Sequence, residues 1–161
     1  AALGAHLPGV LQAAGATAAA AVAAGALLGP AQVGARILEF GFLRKISPLV
    51  SARIAASAHP IAVVVLLLGG APMAALFVVI HGAGNGMLTI TRGTLPLALF
   101  GPVGYGHRQG IITAPARAAQ ALAPFFFGIL VDAQGASALW LTAGLGAAAL
   151  AALFVLKARA G

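Results

Sequence analysis

The chain has few residues of several chemically important kinds. Among its 161 residues there is no cysteine, and only Glu39 and Asp132 carry a side-chain carboxylate. Without cysteine, neither a disulfide framework nor a thiolate metal site can form. Charged residues make up 7% of the chain, against about 25% in an ordinary soluble domain. A soluble monomer with so little charged surface would aggregate, so the composition argues against a soluble protein.

What the chain has instead is long apolar runs, since 61% of its residues are hydrophobic. A membrane-spanning helix needs about 20 mainly apolar residues. The stretch between Arg53 and Arg92 contains no charged residue and is long enough for two spans, with a Gly-Gly-Ala-Pro hairpin at 69–72. The predicted spans are 1–14 (partial), 17–42, 48–68, 72–100, 107–131 and 137–156. We therefore predict one all-α polytopic membrane domain over 1–161, with five full spans and the tail of a preceding one.

Positive charge alternates between the connections of these spans. The turns around Gly15, Gly69-Gly70 and Gly135 carry no Lys or Arg. Eight of the nine Lys and Arg lie in or near the other connections: Arg36, Arg44, Lys45, Arg53, Arg92, Arg108, Lys157 and Arg159. Lys and Arg near span ends are held on the cytoplasmic side. The pattern predicts an integral protein of the bacterial inner (plasma) membrane, with the N-terminus of this fragment outside and the C-terminus cytoplasmic.

Several functions are disfavoured by the same inventory. The net charge of +7 is dispersed among apolar spans without a basic stripe, so membrane lipid rather than nucleic acid is the expected partner. The two carboxylates, Glu39 and Asp132, are predicted on opposite sides of the membrane and cannot form an acid–base pair. Four scattered histidines do not make a metal site. The segment HGAGNG (81–86) imitates a dinucleotide fingerprint, but no strand–helix pattern surrounds it. We expect no enzyme activity, no metal and no cofactor.

Arg117 is the one cation that the topology does not explain. It lies about 14 Å into its span, near the middle of the bilayer, where a charge costs several kcal/mol. Gln120 lies on the same face of the helix, one turn away, and prolines flank the pair at 115 and 124. Two interpretations stay open: contact with an anionic or polar substrate, or an arginine locked to backbone carbonyls or to a carboxylate elsewhere in the full protein.

Other polar residues fall inside spans and are candidates to line a cavity or to form a gate. His81 and Asn85 are i, i+4 neighbours at mid-membrane depth, and Gln32 follows Pro30 on another span. At the cytoplasmic ends, Arg36 and Glu39 are i, i+3 neighbours suited to an ion pair or gate, and Arg92 lies at a similar depth. His59 is a polar exception on its helix, and the sequence assigns it no role.

Small residues suggest where helices approach each other. Gly25 and Gly29 form one GxxxG pair, and Gly82 and Gly86 form another. Such pairs let membrane helices pack closely, which explains both without invoking a ligand. The last span has no side chain more polar than Thr142 and is predicted to face lipid.

Three segments resemble a known family: GPAQVGAR (29–36), HGAGNG (81–86) and APARAAQALAP (114–124). Together with the span pattern, they resemble the C-terminal half of a major facilitator superfamily transporter, from the end of its seventh helix through its twelfth. The resemblance implies half of a 12-helix bundle, whose partner is the N-terminal half of the same transporter. It also implies that helices seven, eight, ten and eleven line the cavity, while nine and twelve are peripheral. The family's Gly, Asp and Arg-rich loop is incomplete here, because 41–45 lacks the Asp.

The resemblance implies secondary active transport, with this bundle forming one wall of an alternating-access cavity for a small-molecule solute. The predicted cavity-lining residues are Arg117, Gln120, Asn85, His81 and Gln32. Contact with Arg117 would favour an anionic solute. The alternative function is a non-transporting membrane scaffold subunit, in which the polar residues within the spans pair among themselves and leave no aqueous cavity.

Overall fold

The computed structural model describes residues 2–42 and 45–156, and it is helical throughout these ranges. Of the predicted cytoplasmic cations, Arg44, Lys157 and Arg159 lie outside the described residues. Seven α-helices follow one another: α1 (Ala2–Ala13), α2 (Ala18–Gly25), α3 (Leu28–Gly41), α4 (Pro48–Gly69), α5 (Ala74–Phe100), α6 (Tyr105–Gln134) and α7 (Leu139–Val155). Short 3-10 turns at Ala71–Met73 and Gly135–Ala138 precede α5 and α7.

Four helical segments are long and apolar enough to cross a membrane. They are Ala18–Gly41, Pro48–Gly69, Ala71–Phe100 and Tyr105–Val155. The fourth has 51 residues, more than twice the about 20 that one crossing needs. Gly135 interrupts it with φ 60°, a conformation in which glycine carries no steric penalty. The segment therefore consists of two helices, α6 and α7, where the sequence predicted the spans 107–131 and 137–156. The fold is all-helical and compatible with a helical membrane protein.

The predicted span 17–42 matches the apolar segment Ala18–Gly41, which is built from two helices. Thr17 caps α2, since its side chain accepts a hydrogen bond from the Ala20 amide. The helix then ends at Gly25, and α3 begins at Leu28. Pro30 explains the break: it has no N–H to donate to the carbonyl of Ala26, and its ring would clash with that carbonyl.

Glycines on α5 let it press against helices on two sides. A methyl group added to Gly86 would lie 2.4 Å from the Gln32 carbonyl oxygen of α3, and one on Gly82 would lie 2.9 Å from the Ala31 Cβ. On another face of α5, a methyl on Gly84 would lie 2.5 Å from the Ala58 Cβ of α4. The glycines at 82–86 that imitate a nucleotide-binding loop are thus a helix surface in close contact with two neighbours.

The three turns without Lys or Arg meet at one end of the bundle. A Cβ on Gly15 would lie 3.8 Å from that of Ala71, and a Cβ on Gly135 would lie 3.7 Å from that of Ala13. A Cβ on Gly70 would similarly lie 3.7 Å from the Ala14 carbonyl oxygen. Since α4 and α6 end there and α5 and α7 begin there, the opposite ends of these helices carry the cations. We call the end where the three turns meet the uncharged end, because these turns carry no Lys or Arg, although the exposed Asp132 lies near it. We call the opposite end the cationic end.

The main hydrophobic core lies toward the uncharged end. Its largest fully buried side chains include Leu11 of α1, Leu66 of α4, Phe77 of α5 and Leu139 of α7. Toward the cationic end, the buried apolar cluster is small and consists of Ala35, Ala55 and Met87. The helices are therefore held together mainly at one end.

Arg53 of α4 links α4 to the last turn of α7 at the cationic end. Its guanidinium donates to the carbonyl oxygens of Leu153, at 3.1 Å, and of Leu156, at 3.0 Å. It also lies 4.7 Å from the centre of the Phe154 ring. The guanidinium thus bonds to carbonyl groups at the C-terminal end of α7 that have no partner within the helix. Its positive charge also interacts favourably with the negative end of the helix dipole.

We expect Gly86→Ala to destabilise the protein by about 1–3 kcal/mol, because the new methyl group overlaps the α3 backbone. Thermal unfolding of the full-length protein in detergent measures the change. Gly144→Ala in α7 is the matched control, since nothing lies within 4 Å of its added methyl group. Alanine favours a helix more than glycine, so the control should be neutral or slightly stabilising. Equal stability of the two variants would contradict the close contact.

Candidate functional site

Two histidines from neighbouring helices pair inside the bundle. His59 of α4 and His81 of α5 have their Nδ1 atoms 3.0 Å apart, within hydrogen-bonding distance. The rings are edge to face with centroids 4.9 Å apart, and His81 also stacks on Phe77 at 6.0 Å. In such a bond one ring donates its N–H and the other accepts through a bare nitrogen, so at least one imidazole is neutral.

His59 has no predicted role, although the sequence contains a signal for this pair. His59 lies 11 residues before Gly70 and His81 lies 11 residues after it. In an antiparallel helical hairpin, equal distances from the turn place two residues at the same depth. Sequence spacing shows depth only, whereas the direction in which each ring points depends on how the helices rotate against each other.

The histidine pair borders a cavity of about 580 Å³ between α4, α5 and α7. Asn85 contributes a further polar side chain to this cavity, one turn beyond His81. The remaining walls are made mostly of small side chains such as Ala55 and Ala149. His81 and Asn85, both predicted to line a cavity, therefore do so here together with His59, and away from Arg117.

A second cavity, of about 260 Å³, lies between α5 and α6 and is lined by three of the six remaining polar candidates. Arg92 of α5 and Arg117 of α6 both line it, and so does Gln120. Arg117 Nη1 donates to Gln120 Oε1 at 3.4 Å. The walls also include Thr91, Gln109 and Thr113, while neither carboxylate of the chain lines this cavity. Its ionisable side chains are therefore exclusively cationic.

Two contacts hold α6 in place and so position Arg117. One lies on each side of the cavity along the helix. Near the cationic end, Gln109 Nε2 donates to the Arg92 carbonyl oxygen at 3.1 Å and ties α6 to α5. Farther along, His6 of α1 makes a 2.8 Å hydrogen bond to the Pro124 carbonyl oxygen. A Cβ on Gly128 would lie 2.8 Å from His6 Cε1, so glycine lets the ring occupy this position without shifting.

Arg36 and Glu39 lie in the last two turns of α3, but the structure does not contain the ion pair predicted between them. Arg36 Nη2 instead donates to Thr89 Oγ1 of α5 at 3.4 Å. Arg36 Nε and Glu39 Oε2 are both buried without a hydrogen-bond partner among the described residues. The Glu39 side chain faces Ser51 and Thr94 across a third cavity, of about 230 Å³.

Gln32 lies apart from the other predicted cavity residues. Its backbone contacts Gly86 at the α3–α5 interface, and it lines neither the α4–α5–α7 cavity nor the α5–α6 cavity. The predicted set is thus divided: Arg117 and Gln120 with Arg92 in one cavity, His81 and Asn85 in another, and Gln32 in a helix contact. Over residues 2–42 and 45–156, no cluster of three or more metal-ligating side chains was found.

Comparison of the chain with protein-family models, with curated proteins and with solved structures found no match.

We expect the hydrogen bond between His59 and His81 to couple the two residues energetically. In a double-mutant cycle with His59→Ala and His81→Ala, the interaction energy should be about 0.5–1.5 kcal/mol, the usual net contribution of one hydrogen bond. Unfolding of the full-length protein in detergent gives the four stabilities that the cycle needs. A cycle of His59→Ala with Thr142→Ala serves as the control. Additive effects of the two histidine substitutions would show that the rings do not interact.

Proposed function

We propose that this chain is part of a secondary active transporter, and that it forms one wall of a cavity for small anionic solutes. The observation that carries the proposal is the α5–α6 cavity, where Arg92 and Arg117 come from different helices and no carboxylate neutralises them. Membrane proteins rarely keep charges inside spans unless they serve a ligand or a partner. Two unneutralised guanidinium groups in one cavity favour a ligand with negative charge.

The surroundings of Arg117 support a binding role. Its only hydrogen bond to a described residue is the 3.4 Å contact with the neutral amide of Gln120, which leaves most of its N–H groups available. Gln109 and Thr113 add neutral polar groups along the same side of α6. Arginine can bind carboxylate or phosphate with two parallel hydrogen bonds, which suits a solute that carries either group.

The exposure of the long helix α6 also supports the proposal that a second helical bundle packs against this chain. Of its 30 residues only Phe127 is buried, although it is one of the longest helices and carries the mid-span arginine. In the proposed protein, the exposed side of α6 faces the N-terminal half of the same transporter across the cavity. This agrees with the resemblance to the C-terminal half of a major facilitator superfamily transporter, in which helix eleven corresponds to α6.

The proposal also includes the orientation of the chain across the membrane and the membrane in which it lies. The cations at the cationic end favour a cytoplasmic position for it, in a bacterial inner membrane. The fragment then begins outside and ends in the cytoplasm. Alternating access requires the two halves to rock around a central site, and a bundle packed mainly at one end has the opening that such a state needs.

The alternative proposal is a scaffold subunit without transport activity. The pairing of His59 with His81 and of Arg117 with Gln120 favours it, because polar groups that satisfy each other need no solute. Against it, the α5–α6 cavity keeps its two arginines without a carboxylate. Transport measurements distinguish the two proposals.

We expect Arg117→Ala to reduce uptake of the transported anion about tenfold or more, since a hydrogen bond to a charged group contributes about 1.5–3 kcal/mol. Vesicles containing the full-length protein would be tested with radiolabelled lactate, succinate, glutamate and inorganic phosphate. Arg117→Lys should retain part of the activity. Arg108→Ala is the matched control, because Arg108 lies near the start of the same helix and donates to the Phe100 carbonyl oxygen.

Unchanged transport by Arg117→Ala would remove Arg117 from the solute site. The absence of uptake for every anion, with correctly folded protein in the vesicles, would favour the scaffold.

We expect the cationic end to be cytoplasmic, and single cysteines test this directly because the chain has none of its own. In the full-length protein, with any other cysteine replaced, Gln134→Cys marks the uncharged end and Val103→Cys marks the cationic end. A membrane-impermeant maleimide added to intact cells should label the first and spare the second until the cells are opened. The reverse labelling would invert the proposed orientation.

A further inference from the structure

Glu39 is a buried carboxylate that no cation of the described chain neutralises. Its side chain is 6% exposed, and its Oε2 atom has no hydrogen-bond partner among the described residues. An isolated ionised carboxylate in a low-dielectric interior is strongly disfavoured, so such groups are normally paired, protonated or bound to a metal ion. The other carboxylate, Asp132, is exposed near the opposite end of the bundle and has no such requirement.

The nearest arginine on the same helix is directed elsewhere. Arg36 lies one turn before Glu39, and its guanidinium reaches α5, where Nη2 donates to Thr89 Oγ1 at 3.4 Å. Thr89 in turn donates to the Asn85 carbonyl oxygen at 3.0 Å. This chain of hydrogen bonds holds the arginine against α5, so the Glu39 carboxylate has no ion-pair partner among residues 2–42 and 45–156.

Two side chains with hydroxyl groups line the cavity that Glu39 faces, and its other walls are the apolar residues Phe40, Ile46, Pro48 and Ile90. Ser51 of α4 is 3% exposed and is one of these two residues. Thr94 of α5 lines the same cavity, and its hydroxyl donates to the Ile90 carbonyl oxygen at 3.3 Å. Because that hydrogen is already used, the oxygen of Thr94 keeps lone pairs for a cation.

We propose that Glu39, Ser51 and Thr94 form a binding site for one Na⁺ ion at the cationic end of α3, α4 and α5. Hard cations prefer carboxylate, hydroxyl, carbonyl and water oxygens, which are the groups present here. One carboxylate balances one positive charge, whereas a calcium site usually collects several. The cavity of about 230 Å³ has room for an ion with water, since one water occupies about 30 Å³.

The backbone of α3 adds to the attraction for a cation. Glu39 lies two residues before Gly41, the last residue of α3. The carbonyl groups of a final helical turn lack intrahelical partners and carry the negative end of the helix dipole. A proton could also neutralise Glu39, but a proton needs neither the cavity nor the second hydroxyl group that the structure provides.

The site stands independently of the proposed transport, so its test measures binding rather than uptake. The full-length protein, purified in detergent, would be heated in NaCl and in choline chloride at equal ionic strength and equal pH. We expect Na⁺ to raise the melting temperature by several degrees in a saturable manner, since a ligand that binds only the folded state stabilises it. Glu39→Gln should lose this response, and Asp132→Asn, at the other carboxylate, should keep it.

Ser51→Ala and Thr94→Ala provide a second measurement if Glu39→Gln does not fold. Each should raise the Na⁺ concentration for half of the effect several-fold without abolishing it. The proposal is overturned if the wild type shows no difference between Na⁺ and choline, or if Glu39→Gln keeps the full response. A stability that follows pH and ignores Na⁺ would identify a proton as the occupant and would also overturn the Na⁺ site.

Discussion

Close packing of α5 against α3 and α4 is the contact on which the rest of the structure depends. Gly82 and Gly86 remove the side chains that would hold α3 away, and Gly84 does the same toward α4. In a bilayer, helix association gains little from the hydrophobic effect and relies on such close contact. The same approach brings His81 to His59 and Thr89 to Arg36, so the polar contacts of α5 follow from its glycines.

A second constraint acts on the polar groups once the helices are packed. Hydrocarbon offers no hydrogen bonds, so each polar side chain needs a partner in the protein or in an aqueous cavity. His6, His59 and Arg53 meet this requirement through partners on other helices. Arg117 meets it only weakly and Glu39 Oε2 not at all among the described residues, which is why these two carry the proposals.

The helices themselves could be predicted largely from the sequence, because long apolar runs and Gly-Pro turns are local signals. The apolar helical segments Pro48–Gly69 and Ala71–Phe100 lie within one residue of the predicted 48–68 and 72–100. The break before Pro30 was missed, although the proline itself is a local signal for it. Side-chain partners are harder to predict, since they depend on helix rotation: i, i+3 spacing suggested a pair between Arg36 and Glu39, yet the approach of α5 gives Arg36 a hydroxyl partner instead.

The two ends of the bundle are packed unequally, and the cavities that contain polar side chains lie toward the more loosely packed end. Large side chains such as Leu11, Phe77 and Leu139 form the hydrophobic core toward the uncharged end, and the cavity there, of about 310 Å³ between α2 and the start of α5, has no polar side chain in its lining. Toward the cationic end, small residues leave gaps, and the three cavities that contain Arg117, His81 and Glu39 lie in that direction. Cations near an opening attract anions and raise their local concentration. In the proposed transporter, an anion would therefore meet favourable charge at the cationic end and again at Arg117. The hydrophobic core toward the uncharged end blocks its passage until the bundle moves.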